Sequence, residues 1–303
     1  MIFPKVLKSV TAGLIALAFN IAVAQPIKIV VPFSAGGVAD LTARTLEQVL
    51  VANTPFKYSI EYKVGAGGAI GASHVAKSRG NETVLMIHSL SLVVNSLSTD
   101  ASYALTDFEP VATLGSVQLA LVTNPKSPVN SMNRLLATTN PVTFGSAGIG
   151  SAAHAASDMF AASTGKTVIH VPYKGDSAAL IDILSNNINL LFLAVGSVRD
   201  QPVTILAVTG TRRHRDLSQT PTLHELGIRG FENSGNWLVL VANTTADPRV
   251  LEQIRQALAT ALTQDPDLFQ RAGVDTDRRQ LFATRQFLQN EQQRMKKLLE
   301  KTK

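Results

Sequence analysis

A chain of 303 residues, 45% hydrophobic and 17% charged, can build one or two full cores, and a mean hydropathy of +0.14 excludes intrinsic disorder. No cysteine is present, which removes disulfides, thiolate catalysis, cysteine-ligated zinc, iron–sulfur clusters and a lipid-modified N-terminal cysteine. The net charge is +6, and the tightest basic cluster, Arg212, Arg213, His214 and Arg215, has no interleaved aromatic for base stacking. It reads as a solvated loop with no nucleic-acid role, and the modest positive charge suits an acidic small molecule or simple solubility.

Lys5 and Lys8 precede an apolar run from Val10 to Ala18, extended by Phe19 and Ile21 to Val23. The run exits through Ala22-Val23-Ala24 before Gln25, a small-x-small pattern. A charged head, a short apolar middle and a small-residue exit predict a cleaved secretory signal over residues 1–24. The run is short for a membrane span, and the most apolar later stretch, Ile188 to Val198, is interrupted by Gly196. The expectation is an exported, periplasmic protein starting near Gln25.

Strand and helix signals then alternate. Ile27 to Val31 reads as a strand halted by Pro32, and Val38, Leu41, Thr45-Leu46 and Val49-Leu50 recur at helical spacing. Tyr58 to Tyr62 and Val84 to Ile87 read as strands, with a helix around Ile70 to Ser78 between them. Further strands are expected at Leu119 to Val122, Val142 to Phe144, Val168 to Val171, Leu190 to Leu193, Ile205 to Val208 and Leu238 to Val241. Helices are expected near 151–163, 177–185, 248–264 and 284–300. Asp247-Pro248 supplies a cap with proline in the first turn, and Gly273 stops a short helix after Pro266. The last helix groups Phe287, Leu288, Met295, Leu298 and Leu299 on one side. This alternation favours an α/β fold with parallel strands joined by right-handed crossovers.

Three strand-to-helix loops are rich in small residues: Phe33 to Gly37, Gly65 to Gly68, and Gly145 to Ser151. Such loops leave backbone N–H groups at the positive end of a helix, where an anion can dock without a charged side chain. In open α/β sheets they gather at the carboxyl ends of the strands, where ligands bind. Gly148-Ile149-Gly150-Ser151-Ala152-Ala153 fits a dinucleotide fingerprint, but the next strand ends in Val171-Pro172-Tyr173-Lys174 without the acidic residue that reading needs. No G-x-S-x-G elbow occurs, the six histidines lack metal-ligand spacing, and no carboxylate is obviously placed to orient His154 behind Ser151. His154 reads first as a helix-start residue, and Asp40 as a favourable charge in the first turn of its helix. No cofactor or metal is expected.

The segment Pro32-Phe33-Ser34-Ala35-Gly36-Gly37-Val38-Ala39-Asp40 resembles the P-F-x-x-G-G-x-x-D pattern of the substrate-binding receptors of tripartite tricarboxylate transporters, the Bug or TctC-type family. The resemblance continues in order through Gly65 to Gly71, Asp107 to Val111, Gly145 to Gly148, His154, His170 to Gly175, Ala207 to Thr209, Pro221-Thr222 and Trp237. It implies a type II periplasmic binding-protein fold, two α/β domains around a cleft joined by two crossing strands. The implied domains are 26–123 plus 238–303, and 124–237. It also implies a monomeric, non-enzymatic receptor that captures a small organic carboxylate for membrane transporter subunits. The implied ligand residues are Phe33, Ser34, Gly36, Gly37 and Gly67 from one side, and Ser146, Ala147, Gly148 and Ser151 from the other. His88, Ser89, Tyr173 and Leu193 complete the implied wall.

The chain departs from the family pattern at Tyr62-Lys63-Val64, Ile149 and Leu193-Ala194, where polar residues are common. Fewer acceptors on the wall disfavour an amino-acid ammonium, which must replace its lost water. That argues for a monocarboxylate, or a dicarboxylate with an apolar or aromatic body. The competing readings are an exported hydrolase using Ser146 or Ser151, and a degenerated receptor with no tight ligand.

Overall fold

The computed structural model describes residues 26–80, 82–198, 200–232 and 235–301. The expected signal segment lies outside the described residues, as do the side chains of Leu298 and Leu299. The chain runs through β1 (Ile27–Val31), α1 (Val38–Asn53), β2 (Tyr58–Tyr62), α2 (Ala69–Lys77), β3 (Val84–Ser89) and α3 (Ser91–Ser96). A long strand, β4 (Phe108–Thr123), leads to α4 (Met132–Ala137), β5 (Val142–Ser146), α5 (Ala152–Thr164) and β6 (Val168–Pro172). Then come α6 (Asp176–Leu184), β7 (Leu190–Ala194), α7 (Val195–Val198), β8 (Thr204–Val208), β9 (Gly235–Asn243), α8 (Pro248–Gln264) and α9 (Thr284–Lys301).

The strands lie in the order β2-β1-β3-β9-β4-β7-β5-β6, with β8 also paired to β4. β1 is parallel to β2 and β3, and β5 is parallel to β6 and β7, as the alternation of strands and helices predicts. The middle is antiparallel. Residues Phe108 to Gln118 of β4 pair with β9, whereas Leu119 to Thr123 pair with β7 and β8. One strand therefore serves two half-sheets, with its switch at Gln118–Leu119. Two register irregularities bend it, between Pro110 and Ala112 and between Thr113 and Gly115. Gly115, at φ +150°, passes so close to the Asp275 carbonyl that no Cβ fits there.

Each half-sheet is covered on both faces, so its strands read as continuous apolar runs. In β1, Ile29 and Val31 face α1 (Ala43, Leu46, Leu50) and α8 (Ile254, Leu258), while Val30 faces Ala72 and Val75 of α2 on the other side. In the second half, Phe144, Phe160, Phe192 and Phe231 form one core with neighbouring ring centroids 5.6 to 6.4 Å apart. Its opposite face packs Ala179 and Ile183 of α6 on Leu191 and Val208. The last helix docks on the first half: the Trp237 indole N–H donates to buried Glu291 at 2.9 Å, beside Phe287, Leu288 and Met295. No described helix is long and apolar enough to cross a membrane.

Candidate functional site

The carboxyl end of β1 breaks at Pro32, and α1 begins one residue after Gly37, which caps it without a side-chain bond. Gly36 takes φ +83°, and its N–H donates to Asp40 Oδ2 at 2.7 Å. Asp40 is buried, accepts the Tyr62 hydroxyl at 2.6 Å and pairs with Arg44 at 3.1 Å. Burial pushes its carboxyl upward, but the Gly36 N–H, the Tyr62 hydroxyl and Arg44 outweigh this and hold it below the usual carboxylate value. Asp40 therefore fastens the first loop and engages the Gly36 amide. The Gly37 amide, among the described residues, has no internal acceptor.

The second loop rests on His88. Its Nε2–H donates to the Gly68 carbonyl at 3.3 Å, and its Nδ1 accepts the Ser89 N–H at 2.9 Å. Complete burial pushes the imidazole down to about 4, so it is neutral and carries its proton on Nε2. Phe33 meets the same ring edge-on at 5.3 Å. His88 thus ties the first loop to the second from behind.

The third loop joins β5 to α5. Ser146 Oγ lies 2.6 Å from His170 Nε2 and accepts the Gly148 N–H at 3.1 Å. The Gly150 N–H donates to His154 Nδ1 at 3.1 Å, and the Ser151 N–H to the Gly148 carbonyl at 3.1 Å. Ser151 Oγ caps α5 by accepting the His154 N–H at 3.2 Å. The His154 and His170 rings stack with centroids 3.9 Å apart. Burial first, and then the nearby His154, lower the His170 imidazole to about 4. Of this loop, the Ala147 and Ile149 amides have no internal acceptor among the described residues.

The loops face one another across a cleft of about 1490 Å³. A Cβ placed on Gly67 would stand 2.7 Å from the Ile149 carbonyl and 3.0 Å from the Ser151 amide, and one on Gly175 would stand 3.1 Å from Ser34 Oγ. Asn95 reaches from α3 to donate to the Gly67 carbonyl at 3.3 Å. The open Gly37 amide stands at the N-cap of α1 and those of Ala147 and Ile149 in the loop that leads into α5, so the arrangement is suited to seat an anion between them.

Phe33, Ser34, Gly36 and Gly37 of the first loop and Gly67 of the second line this cleft. Ala147, Gly148 and Ser151 of the third loop line it too, with Ser89, Tyr173 and Leu193. His88 and Ser146 are fully buried and stand behind the loops as braces, off the cleft wall. The Gly36 and Gly148 amides, at the wall, already donate internally. The sequence reading missed Asn95, Asp176, and Gln118 and Asn236 on the two long strands. For Gln118 and Asn236 the available signal was a polar side chain inside an apolar strand. Gln118 donates to the carbonyls of Thr209 and Arg212 at 2.7 and 2.8 Å, and Asn236 accepts the Leu90 N–H at 3.3 Å. The whole basic cluster, Arg212, Arg213, His214 and Arg215, lines the cleft, so it is more than the solvated loop expected from sequence; Arg213 pairs with Glu225 at 3.0 Å and Arg215 with Asp216 at 3.5 Å.

Two half-sheets bridged by long strands, with glycine loops meeting over a cleft, define the class of two-lobed α/β binding proteins. The family model for the tripartite tricarboxylate transporter family receptor matches residues 39–303. Protein BugT of Bordetella pertussis is 32% identical over 265 residues, covering 83% of this chain and 81% of BugT. Among solved structures, R. palustris Rpa4515 with adipate superposes with a TM-score of 0.83 at 24% identity, over 93% of this chain and 98% of that one. MatC from Rhodopseudomonas palustris with bound malate gives 0.80 at 22% identity, over 90% and 98%. The chain belongs to the tripartite tricarboxylate transporter receptor family. That family consists of substrate-binding receptors and not of enzymes. In keeping with this, Ser146 is buried against His170 and Ser151 Oγ is engaged as a helix cap, so neither presents a nucleophile to the cleft.

Proposed function

We propose that this chain is a periplasmic receptor, exported through cleavage after Ala24, that captures a small organic carboxylate and delivers it to the membrane subunits of a tripartite transporter. Its lobes are 26–123 plus 238–303, and 124–237, with Leu119 to Thr123 and Gly235 to Trp237 as crossing residues that pair beyond those bounds, and it works as a monomer. The observation that carries the reading is the convergence of the open Gly37, Ala147 and Ile149 amides across one cleft. The carboxylates held by Rpa4515 and MatC, adipate and malate, support it. A carboxylate resting on the first loop recruits the third loop, and closing the hinge completes its ring of donors.

The test is a thermal-shift screen of organic acids on the mature protein, followed by calorimetry and a check that the compound is not consumed. A bound acid raises the melting temperature with its concentration and stays intact. Gly37→Val serves as the site control. A Cβ there meets only Ser34 O, at an ordinary 3.6 Å, so the fold tolerates it. The added side chain at the amide is expected to raise Kd about tenfold, the worth of one hydrogen bond to a charged group. Unchanged affinity removes the first loop from the site.

A further inference from the structure

We infer that Asp176 sets the ligand class: it rejects an acid with a second carboxylate and selects one that carries a hydrogen-bond-donating cation, an ammonium foremost. The inference rests on the carboxylate-receptor reading above. Asp176 is the first residue of α6, lines the cleft, and follows Gly175, whose missing side chain lets the backbone approach Ser34 of the first loop. The residue thus enters the cavity beside the loop that receives the ligand's own carboxylate.

Lys174 and Arg212 line the same cleft, but neither is paired with Asp176. Among the described residues Asp176 has no hydrogen-bond or ion-pair partner, and burial alone pushes its carboxyl, to about 6. Its side chain is exposed to the water of the cleft, with protein atoms crowding around it. The start of a nine-residue helix favours the ionised form, so the group is an anion at neutral pH. Lys174 and Ser177, its nearest polar neighbours in sequence, line the cleft with it without bonding to it, and the Tyr173 hydroxyl is already given to Asp182 at 2.6 Å. Three acids on the helices around the cleft are, by contrast, partnered: Asp40 by three groups, Asp158 by His154, and Asp182 by Tyr173 and Asn187.

Two consequences follow for a ligand. A carboxylate bound at the glycine loops leaves its remaining atoms facing an unpaired negative charge, so a second carboxylate meets like-charge repulsion in a closed, weakly screened space. An ammonium in the same place gains a charge-assisted hydrogen bond and pairs the free acid. The apolar replacements at Ile149, Leu193 and Ala194 removed acceptors from the wall, and Asp176 supplies one from another element.

The experiment uses matched sets of one chain length, butanoate with 4-aminobutanoate and succinate, and hexanoate with 6-aminohexanoate and adipate. Calorimetry compares the mature protein with Asp176→Asn, which keeps the side-chain shape and removes the charge. The wild-type protein is expected to bind the amino acid at least tenfold tighter than the diacid of the better-fitting set. Asp176→Asn weakens the amino acid and strengthens the diacid, and leaves the simple monoacid within about twofold. A purely helix-stabilising Asp176 would move all three ligands together, and that result overturns the inference, as does a diacid that is the tightest wild-type ligand. If the wild-type protein and the variant both ignore every acid, monoacids included, the carboxylate-receptor reading fails and this inference falls with it.

Discussion

Gly67→Ala is expected to raise the ligand Kd about a hundredfold while both lobes stay folded. Gly67 is where the two sides of the cleft come closest: the added methyl would lie 2.7 Å from the Ile149 carbonyl and 3.0 Å from the Ser151 amide. Both obstacles are backbone, so neither can rotate away, and overlap of this kind costs about 3 kcal/mol. The three atoms nearest that Cβ all belong to the third loop, so this overlap is relieved when the lobes part. The variant then binds through a closed state whose population has dropped, and apparent affinity falls with it. A second cost is local: Gly67 sits at φ +59°, where alanine loses about 1 kcal/mol. Gly165→Ala calibrates that loss, because its φ is +68° with open space around the new methyl. Calorimetry should show the hundredfold loss in Gly67→Ala only, and small-angle scattering should show its ligand-saturated form more open than the wild type. If both variants bind alike, the glycine contact plays no part in closure.

Much of this architecture was readable from the chain because it rests on local pattern. Helix 248–264 was legible to the residue from its Asp247-Pro248 start and its apolar spacing. The parallel strands showed as short β-branched runs ending in small residues. The first half of β4 was not legible: Pro110 and Gly115 interrupt the run, and both lie at register irregularities that exist only because β9 pairs alongside. The six-residue helices α3 and α4 were missed because neither spans two turns of apolar spacing. At the site, the glycine loops announced themselves, but which of their amides remain open did not. That depends on Asp40, Ser146 and His154 folding back onto Gly36, Gly148 and Gly150. His88 near the end of β3 and Ser146 in the third loop read as wall residues in sequence and stand behind the loops in space, a distinction that burial decides.

Asp40→Ala is expected to lower stability by about 2 to 4 kcal/mol and to weaken binding as well, although Asp40 itself does not line the cleft. The carboxylate is buried and receives the Gly36 N–H, the Tyr62 hydroxyl and Arg44 together. Removing it leaves three donors to find water, one of them the backbone of a loop that must hold its shape. Arg44 and Tyr62 reach solvent and recover part of the loss, which keeps the cost below that of an isolated buried pair. The freed Gly36 amide no longer fixes the first loop, so Gly37 presents its N–H from a broader set of positions and the ligand bears the cost of ordering them. Denaturant unfolding should show the deficit undiminished from pH 8 to pH 5. The folded-state carboxyl titrates below its ordinary value of 3.8, so its contribution is complete above that value and is lost as the pH falls through the lower, folded one. The gap between wild type and variant should therefore begin to narrow below about pH 4. A gap that persists undiminished well below that value would mean that Asp40 stabilises the loop by its shape rather than by its charge.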